Sequence, residues 1–136
     1  MSQKIIRAAL ESRLSTWAAA RVPALPVAFE DVPFTPSGGT YLQAYLLPAT
    51  TDSADLEGVM RSYVGLFQVN IVTKAGIGRG TAEGIAEEIA ALFTNNLLIT
   101  KSGVNVYVRS PCSSPAPIIE DATSVLPVSF RYRADA

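Results

Sequence analysis

The sequence predicts an α+β fold, in which a mainly antiparallel β-sheet carries two α-helices packed on one face. Two segments place apolar residues at helical spacing, and four others alternate in the period of a strand. These segments follow the order helix, strands, helix, strands. The chain has 136 residues, of which 49% are hydrophobic, so we expect one domain, residues 1–136, with a single core.

The first helix is predicted at residues 2–21. Its apolar stripe consists of Ile6, Ala9, Leu10, Leu14 and Trp17. The helix should end before Val22-Pro23, because proline lacks a backbone donor and pushes the preceding residue towards an extended conformation. A short strand at about residues 27–32 is expected to follow.

Two longer strands are predicted in the middle of the chain. A turn at residues 33–40, which contains Gly38-Gly39, precedes a strand at residues 41–47. Residues 50–58 are polar and small without an apolar period, which predicts an exposed, mobile loop. Residues 61–73 form the longest strand, with apolar residues on both faces, and we expect it to be central in the sheet.

The second helix should follow a flexible, glycine-rich connector at residues 74–80. Thr81 is the predicted N-cap, Glu83 lies in the first turn, and the helix runs to about residue 95. Its apolar stripe is Ala82, Ile85, Ala86, Ile89, Leu92 and Phe93.

Two last strands are predicted at about residues 103–109 and 125–133, each apolar on one face only. Residues 110–123, rich in serine and proline, separate them. The predicted core consists of Ile6, Leu10, Leu14, Trp17, Phe67, Val69, Ile71, Ile85, Ile89, Leu92, Phe93, Val106, Val128 and Phe130.

The composition offers little catalytic chemistry. The chain contains no histidine, which removes the commonest general base, the usual catalytic triads and nearly all zinc sites. The paired carboxylates of Asp52 and Asp55, of Glu87 and Glu88, and of Glu120 and Asp121 are interpreted as surface groups. Cys112 is interpreted as a small filler. We therefore predict no enzyme activity and no catalytic, cofactor-binding or metal-binding residues.

The glycine run at residues 74–81 invites comparison with a phosphate-binding loop. Its third glycine comes one residue too early for a dinucleotide fingerprint, and the Lys-Ser/Thr pair of a Walker loop is missing. A connector is the favoured interpretation, although Lys74 and Arg79 could contact a partner. Eleven basic against twelve acidic residues give no basic excess, so no specific nucleic-acid binding is expected.

Tyrosine and arginine side chains are expected on the outward faces of the strands. Solvated sheet surface and subunit contact are equally weighted interpretations, since Tyr and Arg are enriched at interface centres. The outward set is Tyr41, Tyr45, Asn70, Asn105, Tyr107, Arg109, Arg131 and Arg133. The candidate assembly interface is Tyr41, Tyr45, Asn70, Lys74, Arg79, Tyr107, Arg109, Arg131 and Arg133.

The order of elements resembles the phage tail-terminator-like family over nearly the full chain. The resemblance is carried by the strand at residues 63–72, the loop at residues 76–78, the helix at residues 86–93 and the ending at residues 127–132. The resemblance implies a structural protein that caps the tail tube, stops its polymerisation and presents a surface for the head. It implies a ring of identical subunits, six as in related terminators, with the major tail tube protein and a head-tail joining protein as partners. DNA could pass through the ring. Residues 50–58 and 110–123 would order only on assembly.

The sequence leaves other functions open. A head-tail connector or tail completion protein would share this size and architecture and differ in its docking partner. A small-molecule or nucleotide-binding domain is less favoured, because it needs a pocket with perturbed titratable groups. No apolar stretch approaches the length of a membrane span and no signal peptide is recognised, so we expect no membrane partner, and a location in the host cytoplasm during assembly and then in the virion tail.

Overall fold

A computed structural model describes residues 3–30, 32–35, 39–53, 61–119 and 122–135, with the side chains of residues 50–53, 61 and 135 left aside. Within these ranges the elements are α1 (Gln3–Ala20), β1 (Val27–Phe29), β2 (Tyr41–Ser53), β3 (Arg61–Lys74), α2 (Gly80–Leu92), β4 (Leu98–Lys101), β5 (Val104–Val108), β6 (Ile118–Ile119) and β7 (Thr123–Asp135). The predicted α+β class is confirmed.

The strands form one sheet in the order β1-β2-β3-β7-β5-β4, and β6 pairs with β7 outside this path. Only the β1–β2 pair is parallel among the pairings of the described strands. The strand β3 lies between β2 and β7 along nearly its whole length, from Ser62 opposite Asp135 to Lys74 opposite Thr123. Its predicted central position is confirmed.

The core lies between the helices and one face of the sheet, which we call the inner face. Alternate residues of each long strand point into it, as the period of two requires. Of the predicted core residues, Trp17 and Leu92 are only partly buried and pack against the core, whereas the other twelve are fully buried. The rings of Phe67, Phe93 and Phe130 meet at the centre, with centroids 4.8 to 5.9 Å apart.

Partly exposed ion pairs join the helices to each other and to the end of β1. Arg7 of α1 contacts Glu30 at 2.9 Å and Glu11 at 3.3 Å. Arg21, just after α1, contacts Glu88 of α2 at 3.0 Å. These contacts join the two helices and the end of β1, in addition to the apolar packing.

Several predicted boundaries are wrong. Residues 50–53 continue β2 beyond an irregularity between Pro48 and Thr51, so the predicted loop is wrong there, and residues 54–58 lie outside the described part. The predicted turn at residues 33–40 is described only at 33–35 and 39–40. The first strand stops at Phe29 rather than about residue 32. Thr81 is not the N-cap, because the chain is already helical at Arg79, the capping position, which makes no side-chain cap bond.

Two strands were missed because they are short. β4 pairs with β5 through a tight turn in which Ser102 and Gly103 have φ values of 51° and 78°. β6 contains only two residues, and Ser113 exchanges backbone hydrogen bonds of 2.8 and 3.0 Å with Ser129. Ser113, Ile118 and Ile119 of the 110–123 segment thus pair with β7 within the subunit.

Candidate assembly surface

The opposite, outer face of the sheet carries eight of the nine predicted interface residues. The buried residues Leu42, Val69, Val106 and Phe130 fix the inner side of their strands, and the predicted residues stand at the alternate positions. Arg79 is the exception. It immediately precedes α2 and lines a groove beside that helix, on the inner side of the sheet.

One end of the outer face is polar. Gln68 donates to Asn70 Oδ1 at 2.8 Å, and Asn70 donates to Gln43 Oε1 at 3.5 Å. Tyr45 lies opposite Gln68 in the register and is half-buried. Gln43 and Gln68 were not predicted as site residues, although their positions in alternating strands placed them on this face. Their amides hold the Asn70 side chain in a fixed position.

The other end of the outer face is basic and apolar. A recess of about 560 Å³ lies across β3, β7 and the end of β5. We call it the arginine recess, and its side-chain lining includes Ala49, Val64, Leu66, Arg109, Arg131 and Arg133. Leu66 is 38% exposed, and Leu47 on the neighbouring strand is 43% exposed. These leucines were not predicted as site residues, although strand alternation placed Leu66 on the outward side.

Backbone hydrogen bonds position two of the arginines. The N–H of Arg109 donates to the carbonyl oxygen of Arg131 at 2.8 Å, and the N–H of Arg131 donates to Ser110 Oγ at 2.9 Å. Both arginine side chains are exposed. Neither forms an ion pair with a carboxylate of the described residues. The recess therefore presents positive charge beside exposed apolar surface.

The helix-bearing side carries the opposite charge. A groove of about 420 Å³ runs between α2 and the segment 112–117, above Leu126 and Val128. We call it the acidic groove, since Glu83 and Glu87 line it, with Arg79 at one end. Cys112 lies in its wall, half-buried, and burial raises the pKa of its thiol to about 11. Its Sγ contacts the carbonyl oxygen of Phe93 at 3.7 Å.

The perturbed carboxyl groups belong to the ion pairs around Arg7. Burial acts to raise the pKa of Glu30, but the N–H of Leu46, which donates to Glu30 Oε1 at 2.7 Å, and the guanidinium of Arg7 together lower it. Burial raises the pKa of Glu11, against the lowering effect of Arg7. The contacts of Glu30 hold β1 and β2 against α1, which is a structural task.

The described part of the chain offers neither a metal site nor a membrane-spanning helix. No group of three or more cysteine, aspartate or glutamate side chains in those ranges could hold a metal ion. None of the helices there is long and apolar enough to cross a membrane.

Comparison with known proteins defines the class of the chain. A solved structure without a functional name is 49% identical, with a TM-score of 0.85, and the match covers 98% of this chain and 96% of that one. No curated protein sequence matches. The model of a family described as "Phage tail terminator protein" matches residues 5–132.

The chain is thus a structural protein of phage tail assembly, with its place in the virion tail. It belongs to the phage tail terminator protein family, as its strand, glycine-loop and helix pattern suggested.

Proposed function

We propose that this protein caps the finished tail tube as a closed ring of identical subunits, ends tube polymerisation and forms the surface to which the head docks. The ring would contain six subunits. Its partners would be the major tail tube protein below and a head-tail joining protein above, with DNA passing through the centre. It would assemble in the host cytoplasm, without a membrane partner and without catalysing a reaction.

The outer face of the sheet is the observation that carries this proposal. Sheets with both faces covered hide their side chains, whereas here one face keeps tyrosines, leucines and arginines at least partly exposed. Large side chains of mixed character are typical of the centre of a protein interface. In a member of a tail terminator family, the natural partners for such a face are further subunits and the tube.

Tail length in a phage that lacks the gene tests the proposal. Without a cap the tube should continue to polymerise, so electron microscopy should show tails longer and more variable than those of the wild type, without heads. Adding the purified protein before tube assembly should restore normal length. Tails of normal length that fail to join heads would contradict a terminator and indicate a head-tail connector or tail completion protein instead.

A nucleotide-binding role is tested separately by titrating the purified protein with ATP. We expect no binding, because the glycine run lacks the spacing that places backbone amides around phosphates. Saturable binding at micromolar concentration would contradict the purely structural role.

A further inference from the structure

We propose that the arginine recess of one subunit binds the acidic groove of a second copy of this chain, so that the subunits join head to tail. This inference rests on the proposed ring and names the two surfaces that would close it. Its argument comes from the distribution of charge, from the apolar surface at each site and from their positions in the fold.

The charges of the chain are separated rather than in excess. Its formal net charge is only -1. Arg109 and Arg131 are exposed on the outer face and form no ion pair with described residues. Glu83 and Glu87 are exposed on α2 and likewise form no ion pair with described residues. Glu88, by contrast, already binds Arg21. Complementary unpaired charges on two surfaces of one molecule favour association between copies and fix its orientation.

The apolar surface at both sites favours a protein partner over a nucleic acid. Phosphates could neutralise the arginines, but they would leave Leu66 and Leu47 exposed to water. Contact with α2 would cover them, because the helix side presents small residues there. Ala86, Ala90 and Ala116 line the acidic groove, so the leucines would meet small apolar side chains there. Apolar contact with charged groups at its edge is the usual composition of an interface.

The two sites lie on different sides of the sheet, since the recess is on the outer face and α2 packs against the inner face. A contact between different surfaces of identical subunits is heterologous. It closes into a ring when the repeated rotation completes a full turn and otherwise forms an open filament, so the proposed ring requires a closing rotation. Each subunit then binds one neighbour through its arginine recess and the other neighbour through its acidic groove. A single contact can be weak in solution and still hold when all subunits sit on the same tube.

Charge reversal in both surfaces provides the test. The variants are Arg131→Glu, Glu87→Arg and the double variant, each produced in host cells during infection by phage lacking the gene, so that the protein is present while the tubes assemble. Glu87 is chosen because it lies two helical turns from Arg79, whose positive charge would complicate a change at Glu83. Lys4→Glu is the matched control, since it makes the same charge change at an exposed lysine of α1. Circular dichroism melting identifies any variant that does not fold.

We expect each single variant to lower the yield of infectious phage by about tenfold or more, and the double variant to recover most of it, because its charges are again complementary. The Lys4→Glu control should behave like the wild type. Folded single variants with full activity, or a double variant no better than the singles, would overturn this pairing of surfaces while leaving the proposed function intact. If the wild-type protein itself failed to restore tails, the proposed function would be the one at fault.

Cross-linking gives an independent readout of the same contact. In a Cys112→Ser background, Arg131→Cys combined with Glu87→Cys should yield a ladder of disulfide-linked oligomers from completed tails on a non-reducing gel. Either cysteine alone should give monomer. A dimer from Arg131→Cys alone would indicate a two-fold contact, and completed tails without any ladder would place the surfaces apart; either result overturns the proposal.

Discussion

The ring of Tyr132 occupies the space that a side chain at Gly65 would need. The two residues are opposite each other in the β3–β7 register, and a Cβ built at Gly65 would lie 2.8 Å from Tyr132 Oη and 2.5 Å from the carbonyl oxygen of Leu47. Tyr132 is 1% exposed. Its hydroxyl donates to Gln3 Oε1 at 3.2 Å. Because Gly65 has no side chain, the Tyr132 ring can lie over β3 and form this hydrogen bond to the start of α1.

Gly65→Ala should therefore lower the stability of the subunit. The contact with Leu47 involves backbone, which no change of rotamer relieves, and overpacking of this kind costs about 1 to 3 kcal/mol. Gly84→Ala is the matched control, because its Cβ would enter open space inside α2 and helix propensity should add up to about 1 kcal/mol. Urea unfolding of both variants measures the difference. A Gly65→Ala protein as stable as the wild type would contradict the close packing.

Truncation of Phe93 should be more damaging. Its ring is fully buried and lies 4.8 Å from the Phe130 ring and 5.9 Å from the Phe67 ring. Phe93→Ala should cost about 3 to 5 kcal/mol, since it removes a large buried side chain and leaves a cavity.

The same substitution at the partly exposed Phe34, whose ring contacts Tyr41, should cost clearly less. Urea denaturation of both proteins checks this difference. Wild-type thermal stability in Phe93→Ala would mean that the ring is not part of the core.

The regular elements were predictable because burial repeats along them. The alternation in β3 and β7 and the stripe of α2 fixed their faces, so Phe67, Phe93 and Phe130 were correctly assigned to the core. A short strand that pairs with a distant segment is too short to show an alternation of buried and exposed residues, which is why β4 and β6 were missed. The predicted start of β2 at Tyr41 is correct. Its predicted end was wrong for a related reason, since polar residues continue a strand when a neighbouring strand supplies the hydrogen bonds.

The candidate surface was predictable in part. Strand alternation placed Arg109 and Arg131 on one face, but it could not show that β5 and β7 bring them together around Leu66. Arg79 was included in the candidate interface as a charge of the glycine run. The turn through Gly76 and Gly78, with φ values of 89° and 86°, places it on the other side of the sheet. Which surfaces meet in an assembly depends on a second molecule, which periodicity does not encode.

Acid should weaken the contact of Glu30. Its pKa in the folded protein lies below the ordinary value of 4.5, so its contribution to stability is fully present above about pH 4.5 and is lost as the pH falls through the folded value. Glu11, whose pKa is raised, acts in the opposite sense.

Glu30→Gln should reduce the melting temperature at pH 7, and its difference from the wild type should shrink as the pH falls below about 4.5. Glu87→Gln, a change at an exposed carboxylate with no ion pair among the described residues, controls for the lost charge. A difference that stays constant with pH would contradict the proposed role of the carboxylate.

Residues 76–80 should be mobile in the free subunit. They form a turn in which Ile77 is 52% exposed, and a Cβ at Gly76, Gly78 or Gly80 would meet nothing within 4 Å, so packing restrains them little. We expect low amide order parameters there, with the β3 amides as the rigid reference, and no amide shifts on addition of ATP. High order parameters or ATP-dependent shifts would contradict a mobile connector.

The outward side of β7 should matter for assembly and not for folding. Arg131→Glu combined with Arg133→Glu reverses two exposed charges of the arginine recess, and surface substitutions usually change stability by about 0.5 kcal/mol or less. We therefore expect an unchanged melting temperature but a loss of tail completion, because like charges would now face an acidic neighbour. Lys4→Glu with Lys101→Glu makes the same net charge change at two exposed lysines outside the recess and should complete tails normally. Light scattering should show the wild-type subunit as a monomer or a concentration-dependent ring, since closure is expected on the tube. If the arginine double variant still yields tails of normal length that join heads, this face is not an assembly surface.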